Sequence, residues 1–235
     1  MTTRPPVFIS APIAALVEGI YREDTTIGTL KAHGDLGLGT FNDLDGEMVL
    51  LDGVVYRLRP DGDATIIGDE VETPFACVTF FTGDAEERFD KPVAAEDFER
   101  RLADLLPSRN LVYSLRIDGR FAHVRARSVP KQVNYRPLAE IAAIQTVFEF
   151  EDVEGTMVGF YTPSFLESVH VPGFHLHFLT ADRKRGGHVL SAATSDVVVR
   201  QQHAPKVELG LPITLDFLTM EKTRDIAADI ETVER

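Results

Sequence analysis

The chain has 235 residues, enough to bury a substantial core as one large β-rich domain or as two small ones. Its 24 Lys and Arg against 37 Asp and Glu give a formal net charge of −13, which argues against nucleic acid or an anionic membrane surface as a partner. The single cysteine, Cys77, excludes an intrachain disulfide and fits a reducing compartment.

The segment Val7 to Ile20 is apolar but interrupted by Ser10, Pro12, Glu18 and Gly19, so it does not read as a secretory h-region. No stretch approaches the roughly 20 apolar residues that a bilayer span requires. A soluble cytoplasmic protein is the expectation. Ala11 to Tyr21 predicts a short helix and Thr26 to Ala32 a further element. The glycines of His33-Gly34-Asp35-Leu36-Gly37-Leu38-Gly39-Thr40 match neither the dinucleotide fingerprint nor the lysine-containing phosphate loop. That segment reads as a tight loop feeding a strand. Asp52-Gly53 between Glu47–Leu51 and Val54–Leu58 is a strong hairpin signal.

Strands are expected at Ala64 to Ile67 and across Phe75 to Phe81, whose continuous apolar character implies burial on both faces. In Pro92 to Leu106 the residues Val93, Phe98, Leu102, Leu105 and Leu106 fall on one helical stripe, which predicts a surface helix. Leu111 to Ile117 and Phe121 to Val129 read as a second hairpin around Asp118-Gly119. The prolines and polar residues of Ser128 to Pro137 break the periodicity and mark a connection between halves. A short helix near Leu138 to Gln145 follows. Further strands are expected at Thr146 to Phe150, Gly155 to Tyr161, Gly173 to Leu179, His188 to Val199 and Val207 to Leu215. The charged tail, Glu221 to Arg235, reads as a frayed or surface helix.

The sharpest chemical signal is Val171-Pro172-Gly173-Phe174-His175-Leu176-His177-Phe178 followed, after a charged turn, by His188. Side chains alternate along a strand, so His175 and His177 share one face while Phe174, Leu176 and Phe178 fill the other. Thr180 to Gly187 reads as the hairpin turn, with Gly186 and Gly187 able to take positive φ, and His188 opens the returning strand. Three neutral imidazoles suit Zn²⁺ with a fourth position open, the pattern of a catalytic site. His33, His123, His170 and His203 lack such spacing and read as surface or structural residues; His170 is the nearest competitor for a ligand role.

Gly37-Leu38-Gly39-Thr40-Phe41-Asn42-Asp43-Leu44-Asp45-Gly46-Glu47-Met48, then Leu51-Asp52-Gly53 and Tyr56, Arg127-Ser128-Val129-Pro130, and Pro172 to Phe178 together resemble α-acetolactate decarboxylase across nearly the whole chain. The resemblance implies a zinc-dependent enzyme, a homodimer, that releases CO₂ from 2-acetolactate to yield acetoin. It implies His175, His177 and His188 as metal ligands, with Thr40, Glu47 and Arg127 lining the same pocket. It also implies a tail glutamate near the metal, Glu234, with Glu231 the alternative.

These residue types suit that chemistry. Loss of CO₂ leaves electron density that must flow into the ketone oxygen as an enediolate, and a zinc ion whose charge three neutral ligands leave uncompensated stabilises it. Arg127 offers a planar, permanently charged fork for the substrate carboxylate and orients the scissile bond. Glu47 leads as the acid that protonates C2, with the tail glutamate as the other candidate, and Thr40 is a secondary hydrogen-bond donor. Two other readings compete: a zinc hydrolase using metal-bound hydroxide, and a non-enzymatic β-rich module that binds a small acidic ligand.

The expected fold is α+β and mostly β, with two packed mixed or antiparallel sheet-containing halves and a few short helices. Residues 1–135 would contribute Glu47 and Arg127, and residues 136–235 the histidine site.

Overall fold

The computed structural model describes residues 4–133, 136–221 and 223–234. Its first elements are β1 (Val7–Ile9), α1 (Ile13–Val17), β2 (Thr25–Thr26) and α2 (Ile27–His33). Next come β3 (Leu36–Thr40), β4 (Glu47–Leu51), β5 (Val54–Leu58), β6 (Ala64–Ile66), β7 (Glu72–Thr73) and β8 (Ala76–Thr79). They are followed by β9 (Ala85–Phe89), α3 (Ala95–Asp104), β10 (Val112–Ser128), α4 (Leu138–Ala142) and β11 (Thr146–Thr162). The remainder is β12 (Gly173–Thr180), β13 (Gly186–Ala204), β14 (Val207–Leu209), α5 (Leu215–Leu218) and α6 (Ile226–Glu234). None of the described helices is long and apolar enough to cross a membrane.

Two sheets dominate, as the α+β reading anticipates. A seven-stranded sheet runs β14-β1-β8-β3-β4-β5-β6, parallel only where β14 meets β1 and antiparallel elsewhere. A five-stranded antiparallel sheet runs β10-β11-β12-β13-β9, and β10 also pairs with β13, closing those strands into a barrel. Ile117, Phe121, Phe150, Leu176 and Phe178 fill the barrel together with Phe98 and Leu102 of α3. Phe178 is edge-on to Phe121, with ring centroids 5.5 Å apart.

Alternation along β4 divides the core. Met48 and Leu50 pack with Ile27 and Leu30 of α2, while Val49 and Leu51 meet Val158 and Leu179 of the barrel. Glu47 shares the barrel-facing side with Val49 and Leu51. The histidine strand β12 is likewise buried on both faces, its phenylalanine and leucine inward and its histidines toward the first sheet.

The Asp52-Gly53 hairpin forms as expected, both residues at positive φ (54° and 76°). Elsewhere local turn chemistry is overridden. The glycine-rich stretch expected as a loop is strand β3 itself. A Cβ on Gly37 would lie 2.3 Å from the Cys77 carbonyl oxygen and one on Gly39 2.4 Å from that of Phe75, so glycine permits β8 to lie alongside.

Asp118-Gly119 makes no hairpin; β10 runs straight through it, held by β11 on one side and β13 on the other. Gly119 instead sits at φ +146°, next to register shifts against β13. The two strands expected between Thr146 and Tyr161 are likewise one strand, β11, with Asp152 at φ 48°. The strand expected at Val207 to Leu215 ends at Leu209. At the histidine hairpin the left-handed residue is Arg183 (φ 61°), and Gly186 and Gly187 already belong to β13. A Cβ on Gly186 would stand 2.2 Å from the Phe178 carbonyl oxygen.

The sheets do not part company at residue 135, and Tyr135 itself lies outside the described residues. Strands β9 and β10 join the barrel, so Arg127 stands on the same sheet as the histidines, and β14 returns to the first sheet beside β1.

Gly159 packs its backbone against the histidine strand, and a Cβ there would fall 2.0 Å from the His175 carbonyl oxygen. Gly159→Ala is expected to lower the unfolding free energy by about 3 kcal/mol through overpacking. A urea midpoint equal to that of the parent chain would contradict this packing.

Candidate metal centre and cavity

Cross-strand register assembles the site. His177 pairs with His188 across β12 and β13, and His188 pairs with Arg127 across β13 and β10, so the three stand in one row over three strands. His175 lies two residues along β12 on the same face. The ring centroids of His175, His177 and His188 lie 5.0–5.2 Å apart. Their nitrogen ligand atoms all come within 4.8 Å of one another, and all three residues are buried. Among the described residues this is the one group of histidines, cysteines and carboxylates arranged to hold an ion.

Burial keeps the rings of His175 and His177 neutral. Desolvation pushes His177 down to about 3, with the Arg127 charge and His170 adding to the effect. Desolvation also carries His175 well below its ordinary value, with His177, His170 and Arg127 acting in the same direction. The Nδ1–H of His177 donates to the Met48 carbonyl oxygen at 2.7 Å, which leaves the Nε2 lone pair toward the other histidines. That Nε2 has no hydrogen-bond partner among the described residues.

The first sheet supplies the facing wall. Thr40 and Glu47 are direct cross-strand partners on β3 and β4. Glu47 is 5 % exposed and accepts a 2.6 Å hydrogen bond at Oε1 from Nη1 of Arg127, itself 3 % exposed. Its other oxygen stands 3.6 Å from His177 Nε2. Thr40 lines the cavity, yet its hydroxyl donates to the Gly46 carbonyl oxygen at 2.8 Å. The hydroxyl proton is therefore engaged by the loop that delivers Glu47, which leaves the hydroxyl oxygen able to accept.

The remaining lining is apolar: Ile13 and Leu16 of α1, Leu138 of α4, and Leu44, Phe75 and Val129. Sequence reasoning missed all six, because an apolar residue that lines a cavity has the same pattern as one that fills a core. Leu44 carries the one local clue, a left-handed backbone (φ 55°) beside Asp43 (φ 64°) that turns the loop toward the site.

His170 stays outside the ligand group. It is fully buried between Phe75 and Phe160, its ring 5.3 Å from that of His175, and its Nδ1 lies 3.0 Å from the Thr162 hydroxyl and 3.1 Å from the Val171 carbonyl oxygen. His33 stacks on Phe8, His123 bonds Glu149, and His203 meets Arg4. Glu231 and Glu234 fall in α6 by backbone, but their side chains lie outside the described residues.

Comparison with known proteins covers nearly the whole length. The family model described as Alpha-acetolactate decarboxylase matches residues 7–223. The alpha-acetolactate decarboxylase of Bacillus subtilis (strain 168) is 40% identical over 230 residues, covering 97% of this chain and 90% of the relative. That of Methanosarcina mazei is 42% identical over 224 residues, covering 95% and 78% respectively. The crystal structure of the Bacillus subtilis strain 168 enzyme superposes with a TM-score of 0.95, covering 97% of this chain and 99% of that one.

Because the folded protein keeps His175 and His177 deprotonated, the unfolded chain binds more protons below its histidine pKa of about 6.5. The stability of chelated protein is therefore expected to hold above about pH 6.5 and to fall as the pH drops from there toward 3, each histidine contributing a slope of up to about 1.4 kcal/mol per pH unit. Urea midpoints against pH measure it, and His177→Gln is expected to flatten the curve. A parent curve that is flat between pH 6.5 and 4 would contradict the burial of neutral rings.

Proposed function

The chain belongs to the alpha-acetolactate decarboxylase family, and from that membership we propose that it is a carboxy-lyase converting 2-acetolactate to acetoin and CO₂ at the three-histidine cavity. One observation carries the reading: His175, His177 and His188 converge opposite a buried Arg127–Glu47 pair, inside a cavity lined otherwise by Thr40, Gly39 and apolar side chains.

The donor set fits Zn²⁺. It offers three neutral imidazoles, one of them with its tautomer set by a backbone carbonyl, and neither thiolate nor aspartate in the group. Bound there, zinc supplies Lewis acidity to the negative charge that builds on the ketone oxygen as CO₂ departs. The protein's own groups do the rest.

Arg127 receives the substrate carboxylate and turns the bond to be broken perpendicular to the ketone plane, so that the departing electron pair overlaps the carbonyl π system. In the structure this guanidinium holds Glu47, and an ion-paired carboxylate has no proton to give. Proton delivery from Glu47 to C2 therefore follows two events, the turn of Arg127 toward the substrate and the uptake by Glu47 of one proton from water, the proton that the overall reaction consumes. The position of Glu47 on one wall of the cavity favours protonation from one face and a single acetoin enantiomer. Thr40 braces the loop through Gly46 and accepts a hydrogen bond from the substrate hydroxyl. The apolar wall takes the methyl groups and keeps water from competing for the charge.

Glu234, with Glu231 as alternative, is proposed as a second acid. The packing of α6 on α1 and α4, which carry part of the cavity wall, supports this. A reducing, cytoplasmic setting is in keeping with a lone cysteine that is buried. A homodimer is proposed too: β14 is the edge of the seven-stranded sheet, and Leu209, Leu211, Ile213, Leu215 and Leu218 beside it expose their side chains.

Purified protein incubated with 2-acetolactate is expected to form acetoin and CO₂, to stop after dialysis against a chelator, and to resume on adding Zn²⁺. Ester hydrolysis without acetoin would favour the hydrolase reading instead, and ligand binding without turnover the binding module. Arg127→Ala is expected to keep its zinc and lose about 100-fold or more in kcat/KM; loss of the metal from this variant would assign Arg127 a structural role. Sedimentation is expected to give a dimer that Ile213→Asp dissociates, and a parent chain that sediments as a monomer would contradict the assembly.

A further inference from the structure

We propose that Glu18 anchors the carboxyl-terminal segment across the apolar wall of the cavity, which makes it a positioning residue for the decarboxylation. The catalytic half of this inference rests on the function proposed above; the anchoring half stands on geometry alone.

Glu18 is the residue on which α1 ends, two positions after Leu16 of the cavity wall. Its carboxylate gathers three donors from a single place in the tail. Oε1 accepts the backbone N–H of Thr223 at 2.9 Å and that of Arg224 at 3.0 Å, while Oε2 accepts the Thr223 hydroxyl at 2.9 Å. Two successive amides pointing at one carboxylate is a fixed geometry, and hydrogen bonds to a charged acceptor are the stronger kind.

The tie acts just ahead of α6. The Arg224 guanidinium pairs with Asp229 inside that helix, and the Asp225 carboxylate accepts from the Ala228 N–H, so the helix start is braced directly behind the Glu18 contact. From there α6 runs back over α1 and α4. Ile230, 4 % exposed, and Ile226 join the same apolar cluster as Ile13, Leu16 and Leu138, three residues that line the cavity. The wall residues are thus held between the catalytic side and α6, and Glu18 fixes where α6 lies.

A short segment with few large apolar residues needs such a tie. Ile226 and Ile230 are the apolar side chains that the described part of α6 contributes to the core. Without the carboxylate the helix has little to set its position along α1. Losing it lets α6 shift, loosens Leu16 and Leu138, and admits water to the cavity.

The test uses full-length Glu18→Ala, Glu18→Gln, Ile230→Ala and the Glu18→Ala/Ile230→Ala pair, read by amide hydrogen exchange and by steady-state kinetics. In Glu18→Ala the amides of α6 are expected to exchange roughly tenfold faster while those of β4 and β12 keep their rates. The kcat/KM for 2-acetolactate is expected to fall about tenfold, most of it in KM, with Glu18→Gln intermediate because one acceptor oxygen survives. In the double variant the two losses should combine to less than their product, since either one alone already frees the helix.

Unchanged exchange in α6, or faster exchange throughout the protein, overturns the anchor. Faster exchange confined to α6 with unaltered kinetics overturns the positioning role. If the parent chain makes no acetoin, the decarboxylase reading fails separately, and the exchange comparison still decides whether Glu18 holds the tail.

Discussion

Everything in this molecule turns on burying three imidazoles at one point between two sheets, where desolvation holds His175 and His177 uncharged. A histidine in water is half protonated near pH 6.5 and then cannot ligate. Here the β12–β13 register sets His177 against His188, alternation brings His175 to the same face, and the first sheet closes over all three. The cost of burying the His177 ring is offset in part by its hydrogen bond to the Met48 carbonyl. The barrel makes this arrangement stiff: β10 pairs on both edges, and Arg127 and His188 cannot move apart without opening the long β10–β13 ladder.

The second demand is to place a full positive and a full negative side chain beside those rings. Removing either partner of such a buried pair leaves the other uncompensated, a penalty on the order of 3–5 kcal/mol. Arg127 comes from the barrel and Glu47 from the seven-stranded sheet, so their 2.6 Å bond also ties the two sheets together at the cavity. The same bond balances the two charges where they are buried. Helices α1, α4 and α6 then complete the apolar side.

Much of the histidine site is legible in the sequence, because its information is local. A period-two pair of histidines, a charged turn and a third histidine lie within one hairpin, and a hairpin is what one stretch of sequence can specify. The same locality misled elsewhere. Asp118-Gly119 carries the chemistry of a turn, yet pairing of β10 with β11 and β13 keeps it extended, and Asp152 bends β11 without ending it. The glycines of β3 and those before His188 are explained by what lies against them, the carbonyls of Phe75, Cys77 and Phe178, none of which is a sequence neighbour. The placement of Arg127 with the histidines follows from long-range strand pairing, and the apolar wall has no signature that distinguishes it from core.

The most direct measurement is anomalous diffraction at the zinc edge from crystals of protein that has been assayed for acetoin formation. The account predicts a single ion bound by nitrogens of His175, His177 and His188 at about 2.0–2.1 Å, the ordinary zinc–imidazole distance. An ion held instead through His170, or fully active protein with no ion between those rings, would contradict it.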